Sequence, residues 1–374
     1  MKFSIAREIL LEALNNVSKG LSSKTPLPVL TGIKIETNNN KLILTTTNRE
    51  ISIQACIENE ESLVIENDGW CVVPGKYFID IAKKIDGKKV EFSTFEENTI
   101  KILSDRSNFT LIALEKNNYP VINFEPIGEA IQIKASLVKQ LIKQTAFAAG
   151  SSEARITLTG VCLELENNKL KAIATDSYRL AKKEIELENN HTQFRVNVPS
   201  KALEELCKII DDDKEDILMY VMANKVLFVY KDVKFVTRLI EGSFPDTSSL
   251  FPKAHLIEIV FDKNALISTV DRASLFTNMD SSSIVKFIIN NDQSIQISSN
   301  SNEIGKVVDE VIPLKSVELP PFQIAFSAKY FLEALKVFES SQITIKFTGE
   351  IKPFAIEAEN DPNLIQLILP VRVC

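Results

Sequence analysis

A chain of 374 residues that is 45% hydrophobic and 25% charged is neither a disordered tail nor one small domain, and two or three domains are expected. No run approaches the roughly 20 apolar residues of a membrane helix, and Met1–Glu8 carries charge too early for a signal peptide, so a cytoplasmic protein with no membrane partner is expected. A net charge of −7 counts against broad nucleic-acid binding, and five scattered cysteines without a C-x-x-C pair count against a disulfide framework or thiolate zinc site.

The first element is an alternating strand from Lys2, followed by a helix to Ser18 with Leu10, Ala13, Leu14 and Val17 on one face. Alternating strands at Gly32–Glu36 and Lys41–Thr45 lead to a turn at Thr45–Glu50. Val73-Pro74-Gly75-Lys76 opens a second helix that runs to Ile85, and a strand follows at Val90–Ser93. After Pro126 the order restarts. A strand and helix span Ile131–Ala148, with Val138, Leu141, Ile142 and Thr145 on the packed face. Ile173–Arg179 repeats the strand and turn, Val198-Pro199-Ser200-Lys201 opens a helix to Ile210, and Tyr119-Pro120 returns as Phe244-Pro245. Beyond Pro252-Lys253 a third strand and helix span Ile257–Ser274, with Asp262 the expected N-cap and Leu266, Thr269, Val270 and Ala273 inward. Ser298–Glu303 echoes the turn faintly. Phe326-Ser327-Ala328-Lys329 opens the last helix, which runs to Phe338, and Thr344–Phe347 is a strand. The lysines at the helix starts, Lys76, Lys201 and Lys329, recur about every 125 residues. Three tandem copies of one domain are therefore expected, at residues 1–125, 126–253 and 254–374. Each is an α+β domain of two helices packed on about eight antiparallel strands.

Reactive constellations are scarce. His191 and His255 both sit in polar connecting segments, too few for a histidine metal site or a nucleophile–histidine triad. Gly75-Lys76 lacks the flanking residues of a phosphate loop, and no G-x-S-x-G occurs. The carboxylate run Asp211–Asp216 has interspersed lysine, as a solvated turn has, although a metal-dependent nuclease or phosphotransferase built on it stays an alternative. No catalytic set, cofactor or metal is expected, and a scaffold or binding protein is favoured. A repeat-built scaffold that binds linear peptides without touching DNA is a further alternative.

Four segments carry a more specific signal. Thr175-Asp176-Ser177-Tyr178-Arg179-Leu180-Ala181, Gly242-Ser243-Phe244-Pro245-Asp246, Thr25-Pro26-Leu27-Pro28-Val29-Leu30 and Leu369-Pro370-Val371-Arg372 resemble signatures of the DNA polymerase III beta subunit family, the bacterial sliding clamps. The resemblance covers all three copies. It implies a head-to-tail homodimer of DNA-clamp domains, closed as a ring around double-stranded DNA without sequence preference, that confers processivity. Expected partners are the DNA polymerase III catalytic subunit, the clamp loader and other clamp-motif proteins. By resemblance, Phe109 in the first copy and Leu275 and Phe276 in the third form the apolar dimer contact. Lys83, Lys84, Lys139, Lys143, Lys208, Arg272 and Lys336, off the apolar helix faces, with Lys24 and Arg155 in loops, are the expected DNA-binding residues. A peptide-binding pocket is expected from Leu158, Thr175, Ser177, Tyr178, Arg179 and Leu180 on one side and Pro245, Leu250, Pro353, Phe354, Leu367 and Leu369 on the other. The chain departs from many relatives at Ser249, where a basic residue is frequent, at Tyr178, where histidine is frequent, and at its Val373-Cys374 ending. The turn of the second copy is expected to have no equally good counterpart, which would concentrate function there.

Overall fold

The protein is represented by a computed structural model, which describes residues 1–22, 25–58, 61–96, 98–188, 192–211, 214–252, 254–277, 283–301, 304–315 and 318–372. The first third runs β1 (Lys2–Ala6), α1 (Arg7–Val17), β2 (Gly32–Asn38), β3 (Lys41–Thr47), β4 (Ile51–Ile57), β5 (Leu63–Asn67), β6 (Gly69–Pro74), α2 (Gly75–Lys84), β7 (Lys89–Phe95), β8 (Thr99–Ser104) and β9 (Ser107–Ile112). The second runs β10 (Ile131–Lys134), α3 (Ala135–Thr145), β11 (Gly160–Glu166), β12 (Lys169–Thr175), β13 (Arg179–Glu186), β14 (Phe194–Pro199), α4 (Ser200–Cys207), β15 (Asp216–Val221), β16 (Lys225–Tyr230) and β17 (Val233–Arg238). The third runs β18 (Ile257–Asp262), α5 (Lys263–Ser274), β19 (Ile284–Ile289), β20 (Ile295–Ser301), β21 (Gly305–Glu310), β22 (Phe322–Ser327), α6 (Ala328–Lys336), β23 (Gln342–Phe347), β24 (Phe354–Ala358) and β25 (Asp361–Ile368). The thirds share one order of elements. The first has an additional strand, β5, which lies against β1.

Local chemistry explains these elements. The Asn39-Asn40 and Asn167-Asn168 pairs, with φ of 50° and 61° and of 51° and 62°, make the tight turns β2–β3 and β11–β12, because asparagine tolerates the left-handed region. In β4, Ile51, Ile53, Ala55 and Ile57 are buried and the residues between them half-buried, the period of a strand packed on one face. Helix α1 buries Leu10, Ala13, Leu14 and Val17 as the spacing predicts. Arg7 at its start donates through Nε to the Ala82 carbonyl at 3.0 Å and through Nη2 to the Lys83 carbonyl at 2.7 Å, which satisfies the open end of α2. Asp262 caps α5 by accepting from the Ala265 amide at 2.8 Å.

The chain divides into two compact units, Met1–Val138 with Glu205–Leu239, and Lys139–Glu204 with Ile240–Cys374. The first unit holds a five-stranded sheet, β5-β1-β7-β8-β9, and an eight-stranded sheet, β10-β15-β16-β17-β4-β3-β2-β6. Helix α1 packs on α2 and on β3 and β4. The second unit holds an eight-stranded sheet, β14-β11-β12-β13-β25-β24-β23-β18, and a four-stranded sheet, β21-β20-β19-β22. There α5 packs on α6 and on β20 and β21. The sequence repeats in three, but the strands of the middle third are shared out, four to each eight-stranded sheet. All pairing is antiparallel.

The second unit has an aromatic core in which Phe326, Phe331, Phe347 and Phe354 meet with ring centroids 4.8 to 6.0 Å apart. Beside it, a polar network pins β13 to β25. Lys183, 4% exposed, donates to both carboxylate oxygens of Asp361 at 2.6 and 2.7 Å, and Gln366 Nε2 donates to the Gln144 carbonyl at 2.9 Å. Asp361→Ala leaves the Lys183 ammonium buried without its counter-ion and is expected to destabilise the chain by about 3 kcal/mol in urea unfolding, whereas Lys183→Met with Asp361→Leu regains most of that loss.

Candidate functional site

The site is built on the turn between β12 and β13. Thr175 Oγ1 accepts from the Ser177 amide at 3.1 Å and donates to the Arg179 carbonyl at 2.6 Å. Asp176 Oδ1 accepts from the amides of Tyr178 and Arg179 at 2.9 and 3.0 Å, and Ser177 takes a φ of 79°. Contrary to expectation, the first third has an equal turn. Thr47 Oγ1 accepts from the Arg49 amide at 3.1 Å and donates to the Ile51 carbonyl at 3.0 Å; Asn48 Oδ1 accepts from the Glu50 and Ile51 amides, and Arg49 has a φ of 78°. The backbones are chemically alike. The side chains differ: where one turn ends in Ile51, the other ends in Arg179.

Arg179 is 7% exposed, and all three arms of its guanidinium are engaged. Nε donates to Asp176 at 3.0 Å, Nη1 to Glu333, and Nη2 to the Phe147 carbonyl at 2.7 Å. Its planar group lies 4.5 Å from the Tyr330 ring centre and 5.2 Å from that of Phe147. Tyr178, outside, stacks on Tyr330 with centroids 6.4 Å apart. Burial holds the Tyr330 phenol above its ordinary range, and the Asp176 carboxylate adds to the effect. Arg179 is thus a pillar under the site, with little donor capacity left for a ligand.

The second unit has two depressions, one of them lined by this pillar. One, of about 280 Å³, is lined by Gly150, Arg155, Leu158, Asp176, Tyr178, Arg179, Lys329 and Tyr330. The other, of about 430 Å³, is lined by Ser249, Leu250, Pro252, His255, Leu256, Lys352 and Pro353. Leu180 and Leu367 are paired across β13 and β25 and share an apolar cluster with Ile173, Phe244 and Ala355, on which Leu158 and Phe251 pack. Pro245 is exposed, and Leu250 is 44% exposed. The Leu369 amide donates to the Tyr178 carbonyl at 3.0 Å, tying the chain's last segment to the turn. Phe354 is wholly buried in the aromatic core, and Thr175 is buried within its turn. Phe147, Lys329, Tyr330 and Glu333 did not stand out in the sequence, where Lys329 and Tyr330 read only as the start of a repeated helix.

The expected DNA-binding cations are mostly exposed, and one of them, Arg155, bonds to this turn. Lys83, Lys84, Lys143, Lys208, Arg272 and Lys336 are exposed and Lys139 is half-buried; Lys24 lies outside the described residues. Lys208 pairs with Glu205 at 2.7 Å and Arg272 with Asp309 at 2.6 Å. Arg155 Nη1 donates to Ser177 Oγ at 2.9 Å, at the rim of the smaller depression. Lys19 was not among the expected cations. It follows α1 and donates to the Asn15 carbonyl at 2.6 Å, and burial pulls its ammonium below the usual lysine range.

In the carboxylate run, Asp211 accepts from Tyr230 Oη at 2.6 Å and pairs with Lys231 at 2.8 Å, contacts that lower its pKa. Asp216 pairs with Lys134 at 2.7 Å. Asp212 and Asp213 lie outside the described residues, among which no group of His, Cys, Asp and Glu side chains is placed to hold a metal.

Strands β9 and β21 stand out for another reason. Each is the last strand of its sheet, and neither buries a single residue, although they carry Phe109, Leu111, Val307 and Val308. Leu275, beyond α5, is 58% exposed, and Phe276 is half-buried.

Comparison with known proteins covers the whole chain. The family described as the DNA polymerase III beta subunit matches in three parts: its N-terminal domain at residues 1–123, its central domain at 132–246 and its C-terminal domain at 248–372. The beta sliding clamps of Staphylococcus epidermidis and Staphylococcus aureus are each 39% identical over 376 residues, spanning 100% of this chain and 99% of the relative. Among solved structures, the DNA polymerase sliding clamp from Bacillus subtilis is similar at a TM-score of 0.95 and 39% identity, and the DNA polymerase III beta chain from Streptococcus pneumoniae at 0.95 and 32%. Each comparison covers 100% of both chains.

Removing the pillar should be costly. Arg179→Ala leaves Asp176, Glu333 and the Phe147 carbonyl without their donor and is expected to lower stability by about 3 kcal/mol in denaturant unfolding. Arg179→Lys, which cannot reproduce the three-armed planar fork, is expected to recover less than half of that.

Proposed function

We propose a function from one premise: the chain belongs to the DNA polymerase III beta subunit family, the bacterial sliding clamps. As a member, it is a processivity clamp of DNA replication and a non-catalytic subunit. Three clamp domains at 1–125, 126–253 and 254–374 form one chain, and two chains close head-to-tail as a ring around duplex DNA in the cytoplasm. The observation that carries this reading is the pair of terminal strands, β9 and β21, that bury no residue. An open strand edge bearing apolar side chains is satisfied by another strand, and two different edges pairing between copies make a contact that closes as a ring when its rotation allows. Phe109, with Leu275 and Phe276, supplies the apolar part of that contact.

Within the ring, Lys24, Lys83, Lys84, Lys139, Lys143, Lys208, Arg272 and Lys336 attract phosphates without reading bases. The net charge of −7 is compatible with this role, since the local field and not the total decides where an anion is drawn. Weak, salt-sensitive phosphate contacts allow sliding. Arg155 belongs instead to the peptide pocket, through its bond to Ser177. The two depressions of the second unit take linear motifs of the polymerase III catalytic subunit, the clamp loader and other partners. Tethering through such a motif turns each rebinding into a near-intramolecular step.

After loading onto nicked circular DNA, the protein is expected to stay bound in salt and to be released when the circle is linearised; equal loss from both forms would sink the reading. Phe109→Asp should convert the dimer to monomer in light scattering, because a carboxylate buried at that contact has no partner. Leu250→Asp, at an exposed position, should leave dimer and stability unchanged and weaken partner-peptide binding by at least tenfold, as loss of an apolar anchor does.

A further inference from the structure

A cavity of about 830 Å³ lies within the first unit, between α1, the end of β4 and the β16–β17 turn. Ile9, Ala13, Ala55, Ile57, Ile209 and Val233 give it an apolar floor, all of them buried except the half-buried Ile9. Its exposed rim carries the carboxylates of Glu12, Glu58, Glu61, Asp211 and Asp232 against one ammonium, that of Lys231. Lys231 is committed to Asp211 at 2.8 Å, and Glu58 is paired with Lys41 at 2.5 Å. Among the described residues, no ion pair engages Glu12 or Asp232. Nor does any acidic group among the described residues converge tightly enough to hold a metal ion, so the cation that suits this space is an extended one.

The second unit shows what fills the same place in the repeat. Ladder β4–β17 sets Ala55 opposite Val233, and ladder β13–β25 sets Lys183 opposite Leu364, in each case four residues after the first paired residue, Ile51 or Arg179. Lys183 therefore stands where Ala55 stands. Asn16 and Gln144 are the next-to-last residues of α1 and α3, and Ile209 and Val337 both lie eight residues beyond the repeated lysines Lys201 and Lys329. In the second unit this place holds a butylammonium side chain: Lys183, 4% exposed, reaches the Asp361 carboxylate at 2.6 and 2.7 Å, and Gln144 beside it donates to the Val337 carbonyl at 3.3 Å. In the first unit the lysine is replaced by a methyl group. A carboxylate remains at the hairpin, Asp232, but the chain supplies no alkylammonium to meet it.

We propose that this cavity binds a linear aliphatic polyamine, with ammonium groups joined by methylene chains, in the place that Lys183 fills in the second unit. The methylene chain lies on the apolar floor, as the stem of a lysine does on an apolar surface, and the ammonium groups reach the rim carboxylates. Glu12 on α1 and Asp232 on the hairpin receive them from opposite elements. An apolar slot with a few placed charges favours such a ligand over a bare cation, which gains nothing from the floor. The site is separate from the peptide pocket and from the terminal strands β9 and β21, none of whose residues line it.

The test is isothermal titration of the full-length protein with spermidine. The wild type is expected to show saturable binding at one site per chain, weaker at high salt. Ala55→Lys, which puts into the cavity the side chain that the second unit has there, should abolish that binding. Because Ala55 is buried, circular dichroism checks that this variant folds; if it does not, the exposed pair Glu12→Gln with Asp232→Asn decides. That pair should weaken binding roughly fivefold, the effect of losing two exposed ion pairs. Glu188→Gln with Glu258→Gln, which removes the same charge from exposed positions of the second unit, should leave it unchanged. Mg²⁺ at matched ionic strength should displace spermidine no better than sodium chloride does. Four results would each overturn the proposal: no saturable binding, undiminished binding in a folded Ala55→Lys variant, equal losses in the two carboxylate pairs, which marks a diffuse counter-ion effect, or full displacement by Mg²⁺.

Discussion

The pairing of β17 with β4 and of β13 with β25 is the constraint on which the rest depends. Each is an antiparallel ladder between strands from different sequence repeats, Val233 to Thr237 against Ala55 to Ile51 and Arg179 to Lys183 against Ile368 to Leu364. Four strands of the middle third thereby become half of one eight-stranded sheet, and the other four become half of another. The edges of neighbouring repeats cover one another, and their backbone donors and acceptors are satisfied within the chain. Among the described residues, two terminal strands with apolar side chains and no buried residue, β9 and β21, are left.

The β13–β25 ladder also builds the site. It begins at Arg179, so the arginine that closes the turn stands where the chain's last strand ends, and it sets Leu180 opposite Leu367. In the first unit the corresponding ladder sets Val236 opposite Ser52, and an apolar patch of Leu227 and Val236 lies there as well. That patch is covered by the chain itself: Phe124, 5% exposed, and Ile122 pack onto it from the segment after β9. In the second unit, Phe244 and Phe251 cover part of the equivalent cluster and leave Leu250 outside. Two turns with the same hydrogen bonds thus have different fates, because one apolar patch is filled by its own connecting segment and the other has depressions beside it.

Buried ions in the second unit hold this geometry at a thermodynamic cost. Lys183 with Asp361 and Arg179 with Asp176 and Glu333 gain in specificity of arrangement what desolvation takes from stability. A slipped register would separate Lys183 from Asp361 and bury one of them alone. Apolar residues at those positions would pack as well in more than one register, so the ion pairs favour the observed one.

Much of this was legible in the sequence. Helical stripes such as Leu10, Ala13, Leu14 and Val17, the alternation in β4, the cap at Asp262 and the repeated helix starts all reflect interactions within a few residues along the chain, where periodicity carries the information. The motif around Thr175–Leu180 was visible for the same reason: its hydrogen bonds are local. The neighbours of that motif were decided by tertiary structure. Arg179 meets Phe147 across 32 residues and Glu333 across 154, and Lys183 meets Asp361 across 178. Periodicity tells which face of a strand is buried but not which strand lies beside it, so Tyr330, Lys329 and Glu333 looked like ordinary helix residues. The sequence by itself determined the repeated domain and the hydrogen-bonded turn at Thr175–Arg179; only the folded chain, by closing ladders between distant repeats, decided which turn has a depression beside it and which charges line its rim.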